Sequence, residues 1–254
     1  MKTINIIGTG NVAWHLAQTL QKTKEYQLEA VAGRSKKKVK DFSSLASKVC
    51  NITDLNPTLI TIIAVSDDSI VQVARNLQYS SGLVVHTSGS VPMSELDIFN
   101  NYGVFYPLQS FSKEVNLNFK EVPICIESHM EADLDILMDL GSALSEKVTQ
   151  ISSVQRKKLH LAAVFVNNFS NHCFTIAQEL CEDNKVSFDL LRPLLHTTAM
   201  KAISKNPNQV QTGPAKRGDQ KTMTIHKNLL SNPQQKEVYQ ALSDAITNYY
   251  GKKL

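Results

Sequence analysis

The sequence predicts an α/β chain: a parallel, doubly wound sheet domain over residues 1–152, followed by an all-α domain over residues 153–254. Three observations carry this. Short apolar runs alternate with amphipathic helical stretches through the first half, the order that builds a parallel sheet with helices on its faces. The first of these runs passes directly into a glycine-rich turn and a helix. From Ser153 onward the strand-like runs stop and helical periods take over.

In chain order, Thr3 to Ile7 is a β-branched apolar run, and Val12, Leu16, Ala17 and Leu20 have the spacing of one helical face. Leu28 to Ala32 reads as a second strand that ends at Gly33-Arg34-Ser35. A basic amphipathic stretch follows, with Val39, Phe42, Leu45 and Ala46 as its buried side. Leu59 to Val65 is the strongest strand, apolar on both faces as a buried parallel strand requires. Ser66 to Ser69 resembles an N-cap region for a helix carrying Ile70, Val73, Ala74 and Leu77. Further strands are expected at Leu83–Val85, Gly103–Phe105, Val122–Ile126 and Lys147–Thr149, with a helix over Glu131–Leu144. In the second half, Gln155 to Asp183 keeps a helical period over a length of about 45 Å. A helix over Phe188–Ile203 is expected to be kinked or interrupted by Pro193. Residues 206–218 read as a loop, and helices over Asp219–Leu230 and Pro233–Tyr250 complete the chain.

Composition narrows the functional classes. Hydrophobic residues make up 42% and charged residues 20% of the 254, as in globular proteins. The net charge of +4 is mild, and lysine clusters only at Lys36-Lys37-Lys38, so no nucleic-acid partner is expected. No apolar run approaches membrane-spanning length, and the chain enters a strand at once, so neither a membrane span nor a signal peptide is expected. Cys50, Cys125, Cys173 and Cys181 have no metal-ligand spacing, so no metal is expected. Free thiols in a reducing, cytoplasmic setting are the expectation.

The glycine turn is the first chemical signal. Gly8-Thr9-Gly10-Asn11-Val12-Ala13 is a G-x-G-x-x-A sequence set between a strand and a helix, the context that marks a dinucleotide site. Gly8 permits the tight turn, Gly10 admits a pyrophosphate close to the backbone, and Ala13 lets helix and strand pack closely. The helix start offers free N–H groups to phosphate. The sheet domain is therefore expected to be of the Rossmann type. Where an NAD site usually has a carboxylate, this chain has Arg34-Ser35 and three lysines, which favours NADP. Arg34 can stack on adenine or bind a 2′-phosphate, and Ser35 can donate to that phosphate. Val65-Ser66 and His86-Thr87-Ser88 stand at strand ends, where an open α/β sheet forms its ligand crevice. Asp67 and Asp68 read as helix-start carboxylates rather than catalysts. For His86 and Ser88 a turn and a site are equally good readings.

The second half carries a polar stripe. At 100° per residue, His160, Val164, Asn167 and Asn171 lie within about 40° of one another, with Asn168 beside them. Such a stripe is either the solvent face of the helix or one wall of a substrate pocket. Farther on, Thr212 to Asp219 combines a rigid turn with Arg217, a candidate clamp for carboxylate or phosphate, and a capping Asp219 before a helix containing Lys221 and His226.

His86-Thr87-Ser88-Gly89, Tyr106 to Phe111, Leu159 to Phe165 with Asn168, and Thr212-Gly213-Pro214 with Arg217-Gly218-Asp219 together resemble the Rossmann-like proteins that carry the domain of unknown function 2520. The resemblance covers nearly the whole chain. It implies a nucleotide-binding domain and a helical domain that often mediates dimerisation, hence a homodimer. It also implies a distant similarity to pyrroline-carboxylate reductase, prephenate dehydrogenase and the β-hydroxyacid dehydrogenases. Two departures stand out. Tyr106 occupies a position where the family commonly has histidine. The Lys/Asn pair of the hydroxyacid dehydrogenases is absent, because Leu161 and Ala162 follow Lys157 and Lys158 by four residues. His160 takes a place similar to the histidine of the prephenate-type enzymes.

The expectation is a two-domain NADP-dependent oxidoreductase that moves a hydride to or from a small carbonyl, hydroxyl or imine carbon held between the domains. His160 and Asn168 are its candidate catalytic residues. Asn167, Asn171, Arg217 and Lys221 are its candidate substrate-binding residues. The competing expectation is a non-catalytic NADP-binding sensor or assembly module.

Overall fold

A computed structural model describes residues 1–77 and 82–251. The chain forms two compact units, Met1–Asn168 and Phe169–Leu254. The helix that starts at Ser153 thus begins within the first unit.

In the first unit the described residues form one eight-stranded sheet. Its strands are β1 (Lys2–Ile7), β2 (Tyr26–Ala32), β3 (Lys48–Cys50), β4 (Ile60–Ile63), β5 (Leu83–His86), β6 (Tyr102–Pro107), β7 (Ile124–Ser128) and β8 (Val148–Gln150), in the spatial order β3-β2-β1-β4-β5-β6-β7-β8. The order reverses between β1 and β4. The two pair in parallel from Ile4 opposite Ile60 to Ile7 opposite Ile63. All pairings are parallel except β6 with β7, which is antiparallel and places Tyr106 opposite Cys125. This is the one departure from the expected all-parallel sheet. β3 was not foreseen; it is a three-residue edge strand that begins with an exposed lysine, a common way of blunting a sheet edge.

Five α-helices accompany the sheet among the described residues of this unit. They are α1 (Asn11–Leu20), the short α2 (Lys36–Lys40), α3 (Ile70–Arg75), α4 (Glu131–Leu144) and α5 (Ser153–Ala163). The core on one face joins Ile4, Ile6, Ile60 and Ile62 of the sheet to Leu16, Ala17 and Leu20 of α1 and to Leu137, Leu140 and Leu144 of α4. Burial of this kind stabilises by roughly 25 cal/mol per Å² of apolar surface. The basic stretch after β2 is helical for only five residues, yet Val39 and Phe42 are buried as expected.

α5 opens with a capping box in which the Ser152 hydroxyl accepts from the Gln155 backbone and the Gln155 side chain accepts from the Ser152 backbone. The helical run then widens into a π-helical segment, Val164–Phe169. In the second unit, α6 (Ser170–Asp183), α7 (Arg192–Ser204), α8 (Pro207–Val210), α9 (Pro214–Arg217), α10 (Gln220–Leu229) and α11 (Pro233–Tyr250) follow. The helix expected over Phe188–Ile203 is interrupted near Pro193 rather than kinked: a 3-10 turn, Phe188–Leu191, precedes α7, and Pro193 sits in the first turn of α7, where its missing N–H costs no intrahelical bond. The expected loop at 206–218 holds α8 and α9, each with a proline in its first turn. Asp219 caps α10 by accepting from the Thr222 N–H at 3.0 Å.

Candidate functional site

The first unit contains a cavity of about 590 Å³ at the carboxyl ends of β1 and β4, where the strand order reverses. In open α/β sheets this crevice is the general ligand position. The turn after β1 shapes its floor. Gly8 has φ +137°, and a Cβ there would stand 2.0 Å from the Ala64 carbonyl oxygen, so only glycine lets β1 and the end of β4 come this close. Gly10 is different: a Cβ on it would meet nothing within 4 Å, because it borders open cavity. Gly10 is also the N-cap of α1 and supplies no side-chain cap. The first N–H groups of that helix are therefore left for an anion.

Of the residues singled out for a cofactor, Gly8, Thr9, Gly10, Asn11, Val12, Arg34, Ser35, Val65, Ser66 and Thr87 line this cavity. Lys38, Gln109 and Phe111 join them. Arg34 and Ser35 are exposed at its rim, and the Ser35 hydroxyl caps α2 by accepting from the Lys38 N–H at 3.3 Å. The segment after β6 is tied across the start of α1. The Asn11 amide donates to the Phe111 carbonyl at 2.8 Å, and His15 Nε2 lies 2.9 Å from the Ser112 carbonyl oxygen.

His86 and Ser88 do not line the cavity, and their side chains are engaged elsewhere. His86 is fully buried, and its Nδ1 accepts from the Ser88 N–H at 3.1 Å. Burial, reinforced by the nearby Arg156 charge, pushes its pKa down to about 4. The Ser88 hydroxyl accepts from the N–H groups of Ser90 and Val91. Both residues shape the loop after β5.

A second cavity, of about 330 Å³, adjoins the first at Gln109, which lines both. Its walls are Tyr106, Leu108, Gln109 and Ser110 on one side and Leu159, His160, Ala162, Ala163, Val164, Val166, Asn167 and Asn168 on the other. His160, Asn167 and Asn168 therefore share one pocket. A uniform turn of 100° per residue does not hold through the π-helical Val164–Phe169, where the wider turn alters the angular positions of the asparagines. Asn171, Arg217 and Lys221 belong to the second unit.

His160 has a close partner that residue spacing did not suggest. The Tyr106 hydroxyl is 2.9 Å from His160 Nδ1. Tyr106 is buried, and desolvation pushes its phenol up to about 12, so it stays protonated at neutral pH. On the loop after β5, a Cβ at Gly89 would lie 2.4 Å from His160 Nδ1, so the imidazole rests directly on glycine backbone. Arg156, one helical turn before His160, holds that loop. Its fully buried guanidinium donates to the Ser88 carbonyl at 2.9 Å and the Val91 carbonyl at 2.8 Å, and pairs with Glu127 at 3.2 Å. Arg156 escaped the sequence reading because Lys157 and Lys158 beside it are ordinary exposed cations. Its i, i+4 spacing to His160 was the available signal. Among the described residues no group of three or more His, Cys, Asp or Glu side chains is placed to hold a metal, and no helix is long and apolar enough to cross a membrane.

The strand order, the glycine turn and the crevice above it define a Rossmann-type protein with a helical C-terminal region. The domain of unknown function DUF2520 matches residues 122–246. The whole chain is 34% identical to a solved candidate NADP oxidoreductase from Bacteroides fragilis, covering 97% of this chain and 98% of that one at a TM-score of 0.90. This chain belongs to the DUF2520 family. The same fold recurs at low identity in a reductive aminase from Aspergillus terreus solved with NADPH and ethyl levulinate (13% identity, TM-score 0.68, covering 98% of this chain and 93% of that one). It recurs again in an imine reductase from Myxococcus stipitatus solved with NADP+ (14% identity, TM-score 0.67, covering 98% and 93%). No curated protein sequence matches the chain.

Proposed function

We propose that this protein is an NADP-dependent oxidoreductase acting on a small carbonyl, hydroxyl or imine compound. The observation that carries the reading is the glycine cradle. Gly8 brings β1 against β4, while Gly10 leaves open, beside an uncapped helix start, the space that a Cβ would fill. Those features fit a pyrophosphate. Arg34, Ser35 and Lys38 at the rim fit a 2′-phosphate better than a free ribose hydroxyl, which would call for a carboxylate. The Bacteroides fragilis relative, assigned to NADP, and the two neighbours solved with NADP+ or NADPH support this choice.

Once bound, the cofactor supplies or takes up the hydride. The protein's own part is to hold a substrate in the adjoining apolar cavity, with Asn167 and Asn168 as hydrogen-bonding groups and His160 as the acid–base residue. An imidazole suits that task because its ordinary pKa is near neutrality. We assign the homodimer implied by the family resemblance to the second unit, whose helices expose Phe174, Leu194 and Ile203.

The test follows NADPH absorbance over a panel of α-keto acids, imines and hydroxy acids, beside a binding titration. The proposal expects turnover of at least one compound, and strong loss of that turnover in His160→Ala. Wild-type turnover by His160→Ala contradicts the acid–base role. Binding without any turnover favours the sensor.

A further inference from the structure

The Tyr106–His160 contact determines more than a position. A largely buried phenol O–H favours an acceptor already at hydrogen-bond distance, because an unmatched O–H is costly. Among the described residues, the acceptor that hydrogen-bonds the Tyr106 hydroxyl is His160 Nδ1, at 2.9 Å. A nitrogen that accepts must carry a lone pair, so in the neutral ring the proton resides on the other nitrogen, Nε2. The alternative tautomer would place Nδ1–H against the phenol oxygen and leave the phenol proton without that acceptor.

The ring packs against glycine backbone on one side. Its Cβ, Cγ and Nδ1 lie against Gly89, where a Cβ would come within 2.9 Å of each. Gly89 is held in turn through the Arg156 bonds to the Ser88 and Val91 carbonyls on either side of it. Nδ1 is thus enclosed by Tyr106 and Gly89, and Nε2 is the nitrogen left for the cavity that His160 lines.

We propose that Tyr106 is a positioning residue that fixes neutral His160 as its Nε2–H tautomer, so that the pocket presents a hydrogen-bond donor to its substrate. Resting on the oxidoreductase reading above, this identifies the substrate form that the neutral ring can bind. An Nε2–H group bonds to a carbonyl oxygen or imine nitrogen, the atom that gains electron density as its carbon accepts hydride. It offers no lone pair to an alcohol or amine proton. In this state the site hydrogen-bonds the oxidised form of the substrate, a carbonyl or imine compound, and the same contact serves the reverse step.

The test is a long-range proton–nitrogen NMR spectrum of the full-length, ¹⁵N-histidine-labelled protein at about pH 8, above the ordinary histidine pKa of about 6.5. His160 is assigned by the signal missing from His160→Gln. The expected spectrum has a protonated Nε2 and an unprotonated Nδ1 for His160. In Tyr106→Phe the same ring shifts to a mixture of tautomers, while the signals of His15, whose Nε2 lies 2.9 Å from the Ser112 carbonyl oxygen in the same unit, stay in place and report an intact fold. A wild-type His160 protonated on Nδ1 overturns the proposal, and so does a Tyr106→Phe spectrum with an unchanged His160 tautomer. The readout needs neither nucleotide nor turnover, so a failure of NADPH to bind would count against the cofactor reading alone.

Discussion

The Arg156 guanidinium and the Glu127 carboxylate meet at 3.2 Å, with the arginine side chain wholly buried and the glutamate side chain 15% exposed. Glu127 also accepts from the Ser153 N–H and hydroxyl, so β7, the start of α5 and the loop after β5 converge on this pair. Removing one member of a buried pair leaves an uncompensated charge, typically at a cost of about 3–5 kcal/mol. Arg156→Met is expected to destabilise the protein by that order in urea unfolding. A loss below about 1 kcal/mol would mean that the pair is not the clamp described.

The two glycines of the turn should respond differently to the same substitution. Gly8→Ala places a methyl group against the Ala64 carbonyl at positive φ, and is expected to destabilise the fold by more than about 1 kcal/mol. Gly10→Ala has room and an ordinary φ of −81°. It should keep its thermal midpoint and lower NADPH affinity at least about tenfold, or about 1.4 kcal/mol, by filling phosphate space. Thermal melts and fluorescence titrations of the two variants separate the effects.

His86 gives the protein a pH dependence with a definite sign. Its folded pKa of about 4 lies below the ordinary 6.5, so between these values the unfolded chain binds a proton that the folded chain does not. The associated stability is fully present above pH 6.5 and is lost as the pH falls through about 4. It amounts to at most about 3 kcal/mol, at roughly 1.4 kcal/mol per pKa unit. His86→Asn should flatten the urea-unfolding stability curve across that window. An unaltered slope would mean that His86 titrates normally.

Arg34→Ala should weaken NADPH binding at least about tenfold, or about 1.4 kcal/mol, and leave NADH binding unchanged. Equal losses for both nucleotides would assign Arg34 to adenine stacking, which the two cofactors share.

Much of this architecture is legible in the sequence where a local cause sets it. Glu131–Leu144 and Pro233–Tyr250 have the extents their periodicity and prolines indicate. Asp219 caps the helix that its position announces. The cavity over the glycine turn is legible for a similar reason, since a strand, a glycine turn and a helix form one contiguous unit. Strand direction is not: an apolar run such as Ile124–Ile126 packs equally well either way, and β7 turned out antiparallel to β6. The π-helical turn at Val164–Phe169 has no counterpart in a regular period. Tyr106 and His160 lie 54 residues apart, and only the placement of β6 beside α5 brings them together. The tyrosine that looked like a departure from the family pattern is therefore the partner of the histidine chosen for proton transfer.

The proposed occupant of the cavity over Gly8 to Val12 is a 2′-phosphorylated nicotinamide dinucleotide. A calorimetric titration of the full-length protein with NADPH and with NADH tests it most directly. The expected result is one saturable site per chain and at least about tenfold tighter binding of NADPH, equivalent to about 1.4 kcal/mol. No binding of either nucleotide, or binding in which NADH equals or exceeds NADPH, would contradict it.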